Sequence, residues 1–421
     1  MSRSPSRRRF LQTSAAAAAG TALFVPTVHA AGGDTLKIAL VGCGGRGTGA
    51  AMNALGADNN VKLVAVADVF EDLAIKGLES MRAGFPDKVA VAPECVFSGF
   101  DAYKKAIDMA DVVVMATPPG FRPVHFAYAV EKGKHVFMEK PHAVDVPGAR
   151  SVLESAKLAK TKGLNVVSGF CYRYDAFKRE TMKRIHGGAV GDVLAVHSNY
   201  LTGELWSRAS KTNDPKEMET QLRMWYYYTW LSGDFLVEQA IHSVDKAAWV
   251  MNGLNPISAV GTGGRAARTD AKFGNIWDNF SIVYEYEGGQ KVFLQCRQTQ
   301  GCHGETNDHV MGTKGTAQVQ RHTIKTGDTT WRPEGKHDFG FMYQVEHNEL
   351  FAAIRSGKTI NDAEASVNST LMGLMGRDAA YTGQKLQWDK YITSSLSLAP
   401  KEYAMGENPV PAFAKPGKYK V

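Results

Sequence analysis

The sequence predicts an α/β chain in which an N-terminal doubly wound parallel sheet precedes an α+β domain built on a mostly antiparallel, open sheet. Three observations carry that expectation. A glycine-rich turn, Gly42-Cys43-Gly44-Gly45-Arg46-Gly47, directly follows the apolar run Leu36–Val41. Short apolar runs then alternate with helical periodicity as far as residue 170, and beyond it period-two runs joined by glycine turns take over.

Residues 1–30 read as a removable export leader. Ser6-Arg7-Arg8-Arg9-Phe10-Leu11-Gln12 resembles the twin-arginine signal of bacteria, whose translocon carries proteins already folded. The small-residue apolar stretch Ser14–Val25 and Val28-His29-Ala30 supply the hydrophobic and cleavage regions, so cleavage is expected after Ala30. That stretch is shorter than the ~20 apolar residues of a membrane span. The expectation is therefore a periplasmic or secreted protein, delivered by the Tat export machinery, with no membrane anchor in its mature form.

The leader arginines Arg3, Arg7, Arg8 and Arg9 account for four of the seven net positive charges, so the mature chain is only weakly basic. No basic tract remains, and nucleic acid is not an expected partner. About 390 mature residues exceed one compact core and suit two domains, 31–170 and 171–400, with 401–421 as a tail or an arm on a neighbour. The five cysteines are too few and too scattered for a disulfide framework or a zinc quartet; only Cys296 and Cys302 stand close enough to pair in an oxidising compartment.

Strand Leu36–Val41, a Gly/Ala-rich helix through Leu55, and strand Val61–Asp68 form a βαβ unit. Gly42 permits the tight turn, Gly44 and Gly45 let the backbone approach a pyrophosphate, and Gly47 allows close helix packing. The helix N-terminus offers unpaired N–H groups to the phosphates. This is the Rossmann fingerprint, and Asp68 at the end of the second strand is placed to accept from both ribose hydroxyls. A carboxylate there repels a 2′-phosphate, so NAD is the expected cofactor; Arg46 offers a phosphate a positive partner, so NADP is only disfavoured.

The alternation continues with strand Asp111–Met115, a helix from about Pro123 to Lys132, strand His135–Met138, a helix from about Pro147 to Lys162, and Asn165–Phe170. Ligands of such sheets gather beyond the carboxyl ends of the strands. Thr117 and Pro118 after one strand, and Glu139 and Lys140 before Pro141 after the next, should therefore border the cofactor.

The order of glycine fingerprint, acid after the second strand, Thr-Pro-Pro turn and Glu139-Lys140-Pro141 resembles the Gfo/Idh/MocA oxidoreductases, named for glucose-fructose oxidoreductase and inositol dehydrogenase. The resemblance implies that Lys140 is the catalytic proton-transfer residue, a role suited to an amine partly withdrawn from water beside a cationic nicotinamide. It also implies a second-domain helix that presents a carboxylate and a histidine to the substrate. Gly233–Met251 has helical periodicity, and Asp234, Glu238, His242 and Asp245 recur by four, four and three, one face of a continuous helix. His242 and Glu238 are the catalytic candidates, although the inositol dehydrogenases more often carry aspartate where Glu238 stands. Asp234 reads as an N-cap. A metal held by Glu238, His242 and Asp245 is disfavoured, since no further ligands are evident and hydride transfer needs none; the metal expectation is none.

By position, Tyr172, Arg173 and Tyr174 correspond to the family segment that lines the sugar pocket, and with Asp245 they are the expected substrate-binding residues. The aromatic run Trp225–Trp230 suits a core, an interface or a carbohydrate subsite. Further on, Phe280–Tyr286 and Lys291–Cys296 flank a Gly288-Gly289 hairpin, Gly312–Gly315 is a second turn, and helices are expected over Gln344–Arg355 and Ala363–Thr382. An open sheet of this kind resembles the family's oligomerising domain and implies a homodimer or homotetramer.

Outside the cytoplasm no soluble NAD pool is expected, so the cofactor must be recycled in place. Three readings follow for a sugar or glycoside substrate. The first is glycoside cleavage by oxidation at C3, elimination, hydration and re-reduction, with Lys140 taking the hydroxyl proton, His242 assisting, and the C2 base among Glu238, Tyr172 and Tyr174. The second is a sugar transhydrogenase of the glucose-fructose oxidoreductase type, or a simple sugar or polyol dehydrogenase. The third is a non-catalytic sugar-binding or scaffold protein that keeps the nucleotide fold.

Overall fold

The computed structural model describes residues 34–206 and 213–421; the expected export leader and its expected cleavage site lie outside them. Six parallel strands form the first sheet in the order β3-β2-β1-β4-β5-β6: β1 (Leu36–Val41), β2 (Val61–Asp68), β3 (Val96–Ser98), β4 (Val112–Met115), β5 (His135–Met138) and β6 (Val166–Ser168). Helices cover both faces, which is why β4 and β5 are buried at every position and show no alternation. Between β2 and β3 lies a helix, Glu71–Gly84, whose buried Ala74, Gly77, Leu78 and Met81 recur at helical spacing. Strand β3 is three residues long and at most half-buried, so periodicity carries no sign of it.

The second sheet has nine strands in the order β14-β13-β12-β11-β7-β10-β9-β8-β15. In chain order these are β7 (Val193–Thr202), β8 (Ser258–Gly264), β9 (Asn279–Glu285), β10 (Lys291–Gln298), β11 (Glu305–Gly312), β12 (Thr316–Gln318), β13 (Thr323–Thr326), β14 (Thr329–Trp331) and β15 (Leu386–Gln387). The expected hairpin joins β9 to β10 with Glu285 opposite Lys291, and the Gly312–Gly315 turn joins β11 to β12. All neighbours are antiparallel except β7 and β10, whose parallel pairing depends on the long excursion of chain between them. Helices Ile241–Val250 and Ala363–Thr382 pack on one face. Alternate residues of β10, Val292, Leu294 and Cys296, are buried beneath them, while Lys291, Phe293 and Gln295 face outward.

Three features depart from the expectations. Helix Met342–Ser356 returns to the first domain, packs on helix Gly45–Ala57 and contributes Leu350, Phe351 and Ile354 to that core, so a late segment completes the nucleotide domain. Residues 401–421 lie against their own chain: Gly406 O accepts from Met218 N, Ala414 O from Trp277 Nε1, and the Tyr419 ring meets that of Tyr381. Cys296 and Cys302 are both free thiols, one buried in the sheet and the other exposed. Among the described residues, no helix is long and apolar enough to cross a membrane.

Candidate active site

A cavity of about 620 Å³ runs from the glycine turn to the wall of the second domain. Its nucleotide end is built by β1, β2 and the start of helix Gly45–Ala57. Gly42 has φ +94°, and a Cβ there would lie 2.6 Å from Thr117 N; a Cβ on Gly47 would lie 1.8 Å from Gly42 O. Gly44 and Gly45 face open space within the cavity lining. This is a cradle in which N–H groups can approach a diphosphate. Asp68 receives Cys43 N on one oxygen at 2.7 Å and Phe70 N on the other at 3.0 Å. Burial pushes its carboxyl up, and those two donors draw it back. Each oxygen keeps a lone pair for a ribose hydroxyl. The residues therefore fit a dinucleotide.

Arg46 is already engaged by acids, while its Nη2 has no hydrogen-bond partner. Its Nε donates to Glu139 Oε1, its Nη2 lies 3.6 Å from buried Glu346, and its guanidinium stacks 4.9 Å from the Tyr343 ring centroid. Thr117, Pro118, Glu139 and Lys140 all line the same cavity, as expected from strand ends that point the same way.

At the opposite end, Lys140 Nζ donates to Glu238 Oε1 at 2.9 Å and also to the Glu238 backbone carbonyl. The second contact falls where the expected continuous helix is broken. In an unbroken helix the Glu238 carbonyl would accept from His242 N. Here His242 N turns to Gln239 O at 3.3 Å, and the segment divides into Phe235–Glu238 and Ile241–Val250. The break frees that carbonyl for the lysine.

The break also separates the four residues assigned to one face. Asp234, at φ +77°, caps Phe235 N but buries its other oxygen on Trp277 N and the Tyr381 hydroxyl. Glu238 and His242 remain on the cavity. Asp245 is 1% exposed and takes two hydrogen bonds from Arg173 Nε, one from Arg173 Nη2 at 2.8 Å and one from Ser369 at 2.7 Å. Arg173, Tyr174 and Asp245, expected to bind substrate, are thus not among the cavity-lining residues; Tyr174 spends its hydroxyl on Asp362. Asp245→Ala is accordingly expected to cost about 3 kcal/mol by leaving a guanidinium unpaired. A urea midpoint equal to that of the parent would contradict this structural role.

Tyr172 does line the cavity, with its ring 5.1 Å from that of His242 in an edge-on contact. Burial, together with the cations Lys140, Lys246 and Arg46, holds His242 well below the usual imidazole range, so the ring is neutral. Two buried polar atoms here have no hydrogen-bond partner, His242 Nδ1 and Glu238 Oε2. Such atoms carry a desolvation cost that a substrate hydroxyl would remove.

Tyr200, Gln239 and Trp206 were not legible beforehand; with Trp225 and Tyr226, from the aromatic run that suited a core, an interface or a carbohydrate subsite, they complete the substrate-side wall, and the Tyr200 hydroxyl donates to Gln239 Oε1 at 2.7 Å. Gln239 lies between the two helical pieces and lines the cavity. Among the described residues, a further set of potential metal ligands, Asp175, His322 and His337, lies elsewhere, and the ammonium of Lys178 already sits 3.2 Å from Asp175 and 3.1 Å from His322.

Two family models match the chain: an oxidoreductase family with an NAD-binding Rossmann fold over residues 36–169, and the GFO/IDH/MocA C-terminal domain over 179–318. The chain is 28% identical over 359 residues to an inositol 2-dehydrogenase of Rhizobium meliloti, covering 82% of this chain and 96% of that protein. It is 24% identical to the 2,7-anhydro-N-acetylneuraminate hydratase of Escherichia coli, covering 55% of this chain and 58% of the other. A scyllo-inositol dehydrogenase of Lactobacillus casei, solved with NAD(H) and scyllo-inositol, shares the fold at TM-score 0.64 and 20% identity, covering 85% and 100% of the two chains.

Proposed function

The chain belongs to the GFO/IDH/MocA oxidoreductases, whose first domain binds NAD, and from that premise we propose an exported enzyme that acts on a sugar or sugar derivative and finishes each cycle in its starting redox state. The reaction is glycoside cleavage by oxidation, elimination, hydration and re-reduction, with NAD kept in place. The Lys140–Glu238 pair, set beside the unpartnered Glu238 Oε2 and His242 Nδ1 within the nucleotide cavity, is the observation that carries this reading.

Gly44, Gly45 and the start of helix Gly45–Ala57 would hold the pyrophosphate, and Asp68 the ribose. When bound, the nicotinamide supplies a reversible hydride acceptor at the reacting sugar carbon. Lys140, as the neutral amine, takes the C3 hydroxyl proton as the carbon becomes a ketone, and returns it at the end. The ketone acidifies the C2 hydrogen, and Glu238, through Oε2, takes it as the C1–O bond breaks and the aglycone oxygen picks up a proton from solvent. Water then adds at C1 and gives a proton back to solvent, while the Glu238 carboxyl, its proton exchanged with solvent, protonates C2. Neutral His242 hydrogen-bonds the reacting hydroxyls, and Tyr172 is the alternative C2 base. No pair of carboxylates at glycosidase spacing is required. The Escherichia coli relative is named a hydratase, and net addition of water fits a redox-neutral cycle on this fold.

The test is expression with the leader, purification from the periplasm, and assay of nitrophenyl glycosides in D₂O without added cofactor. Aglycone release with deuterium at C2, and NAD released on denaturation, are the expected results. Oxidised product that accumulates only with added NAD would overturn the redox-neutral cycle in favour of the simple dehydrogenase, the reading that the similarity to inositol 2-dehydrogenase favours.

The open face of the second sheet supports a homodimer or homotetramer. Val260, Val283, Phe293 and His197 form one cross-strand row there, with Val260 and Phe293 exposed. Sedimentation of Phe293→Lys is expected to show smaller assemblies than the parent.

A further inference from the structure

The adenosine side of the cavity is closed by chain that the nucleotide fingerprint does not include. Around Asp68 the lining consists of Phe70, Leu73, Phe100 and Tyr103 from the first domain, and Leu222 and Arg223 from the second. Arg223 crosses between them: its guanidinium lies 3.9 Å from the Phe70 ring centroid and 3.2 Å from each oxygen of Asp72, and its Nε holds Glu219 at 3.0 Å.

The helix that carries Arg223, Met218–Arg223, has six residues, too few to persist by itself. The C-terminal segment holds it. Gly406 O accepts from Met218 N at 2.8 Å, and Asn408 exchanges side-chain and backbone hydrogen bonds with Gln221 at 2.9 and 2.6 Å. A few residues earlier, the Tyr403 ring packs against Phe100, Phe121 and Trp230, with centroids 6.2, 5.4 and 6.5 Å apart. Phe100 and Phe121 line the cavity from the first domain, whereas Trp230 belongs to the second. One short stretch, Tyr403–Asn408, therefore braces both domains at the same side of the cavity.

We propose that the Arg223–Asp72 bridge and the Tyr403 ring form a clasp that keeps the adenosine half of a dinucleotide in the cavity. The clasp deepens the resident-cofactor reading on which it rests, but needs no particular reaction. A nucleotide anchored at Asp68 and the glycine turn leaves the adenosine side only when Arg223 lifts from Phe70 and Asp72 and the domains part. Asp72 is 62% exposed at its side chain, and an ion pair so placed adds little to folding. Its effect is expected in the release rate, since tethers of this kind act chiefly on dissociation.

The experiment loads the full-length mature protein with NADH, chases with excess NAD⁺ and follows the loss of bound NADH fluorescence. Release from the parent is expected to take minutes or longer. Arg223→Ala and Tyr403→Ala should each quicken it at least about tenfold, with an unchanged far-ultraviolet spectrum. Asp72→Asn breaks the same bridge from the exposed side and guards against a misfolded Arg223 variant. Release at the parental rate from all three variants overturns the clasp, as does a parent that exchanges within the mixing time. Slow release from a protein that cleaves no glycoside leaves the clasp standing and overturns the glycosidase reading instead.

Discussion

Lys140→Met is expected to lower turnover by about 10²–10⁴-fold, the range that a positioned proton-transfer group supplies, while bound nucleotide is retained. Methionine keeps an unbranched stem of similar length, so the packing beside Glu139 and Pro141 changes little. What disappears is the ammonium that donates to the Glu238 carboxylate and carbonyl. The lysine is 9% exposed, so water does not readily replace it. A buried carboxylate left in this way also costs stability, about 3 kcal/mol by the behaviour of other interior pairs. Turnover, nucleotide content and the denaturation midpoint should therefore be measured on the same preparation. Glu238→Gln provides the counterpart: it keeps the shape and one acceptor, and should lower turnover with a smaller loss of stability. A Lys140→Met protein that turns over within a factor of about three of the parent would remove the lysine from proton transfer.

Gly47→Ala is expected to abolish nucleotide binding. Its Cβ would lie 1.8 Å from Gly42 O and 3.2 Å from the Ala116 methyl group, both at the wall of the cavity. The helix cannot retreat, because Ala50, Ala51 and Ala54 of the same helix are fully buried. Either the turn or the helix must move, and overpacking of this kind costs about 1–3 kcal/mol before any loss of ligand. The N–H groups that face the cavity move with it. Purified Gly47→Ala should carry no nucleotide and melt below the parent, whereas Gly44→Ala, whose Cβ meets nothing within 4 Å, should melt like the parent and bind nucleotide more weakly. Equal nucleotide content in Gly47→Ala and the parent would show that the turn tolerates the displacement.

The first domain was legible because its signals are local. A glycine turn between an apolar strand and a helix, an acid at the next strand end, and apolar runs of four to eight residues each declare themselves within one short window. Strand ends then place Thr117, Glu139 and Lys140 on the cofactor side without further information. Helix Glu71–Gly84 carries an equally local signal in Ala74, Gly77, Leu78 and Met81, yet it was not among the expected elements. By contrast, nothing near Met342 announces that its helix packs on the first domain, since that contact joins residues roughly 300 positions apart.

The site divides along the same line. Periodicity placed Asp234, Glu238, His242 and Asp245 on one face, and would have been right for a continuous helix. The lysine that meets the Glu238 carbonyl comes from 98 residues earlier, the helix is broken beside it, Asp234 is held in the core by Trp277 and Tyr381, and Asp245 pairs with Arg173. The sequence by itself determined the nucleotide turn, the acid at the end of the second strand, and the lysine at the strand end, because backbone geometry and strand direction decide those positions. Only the tertiary structure decided which polar residues face the cavity and which satisfy one another behind it. A buried hydrogen-bonding group must find a partner, and in this chain the partner often lies in the other domain.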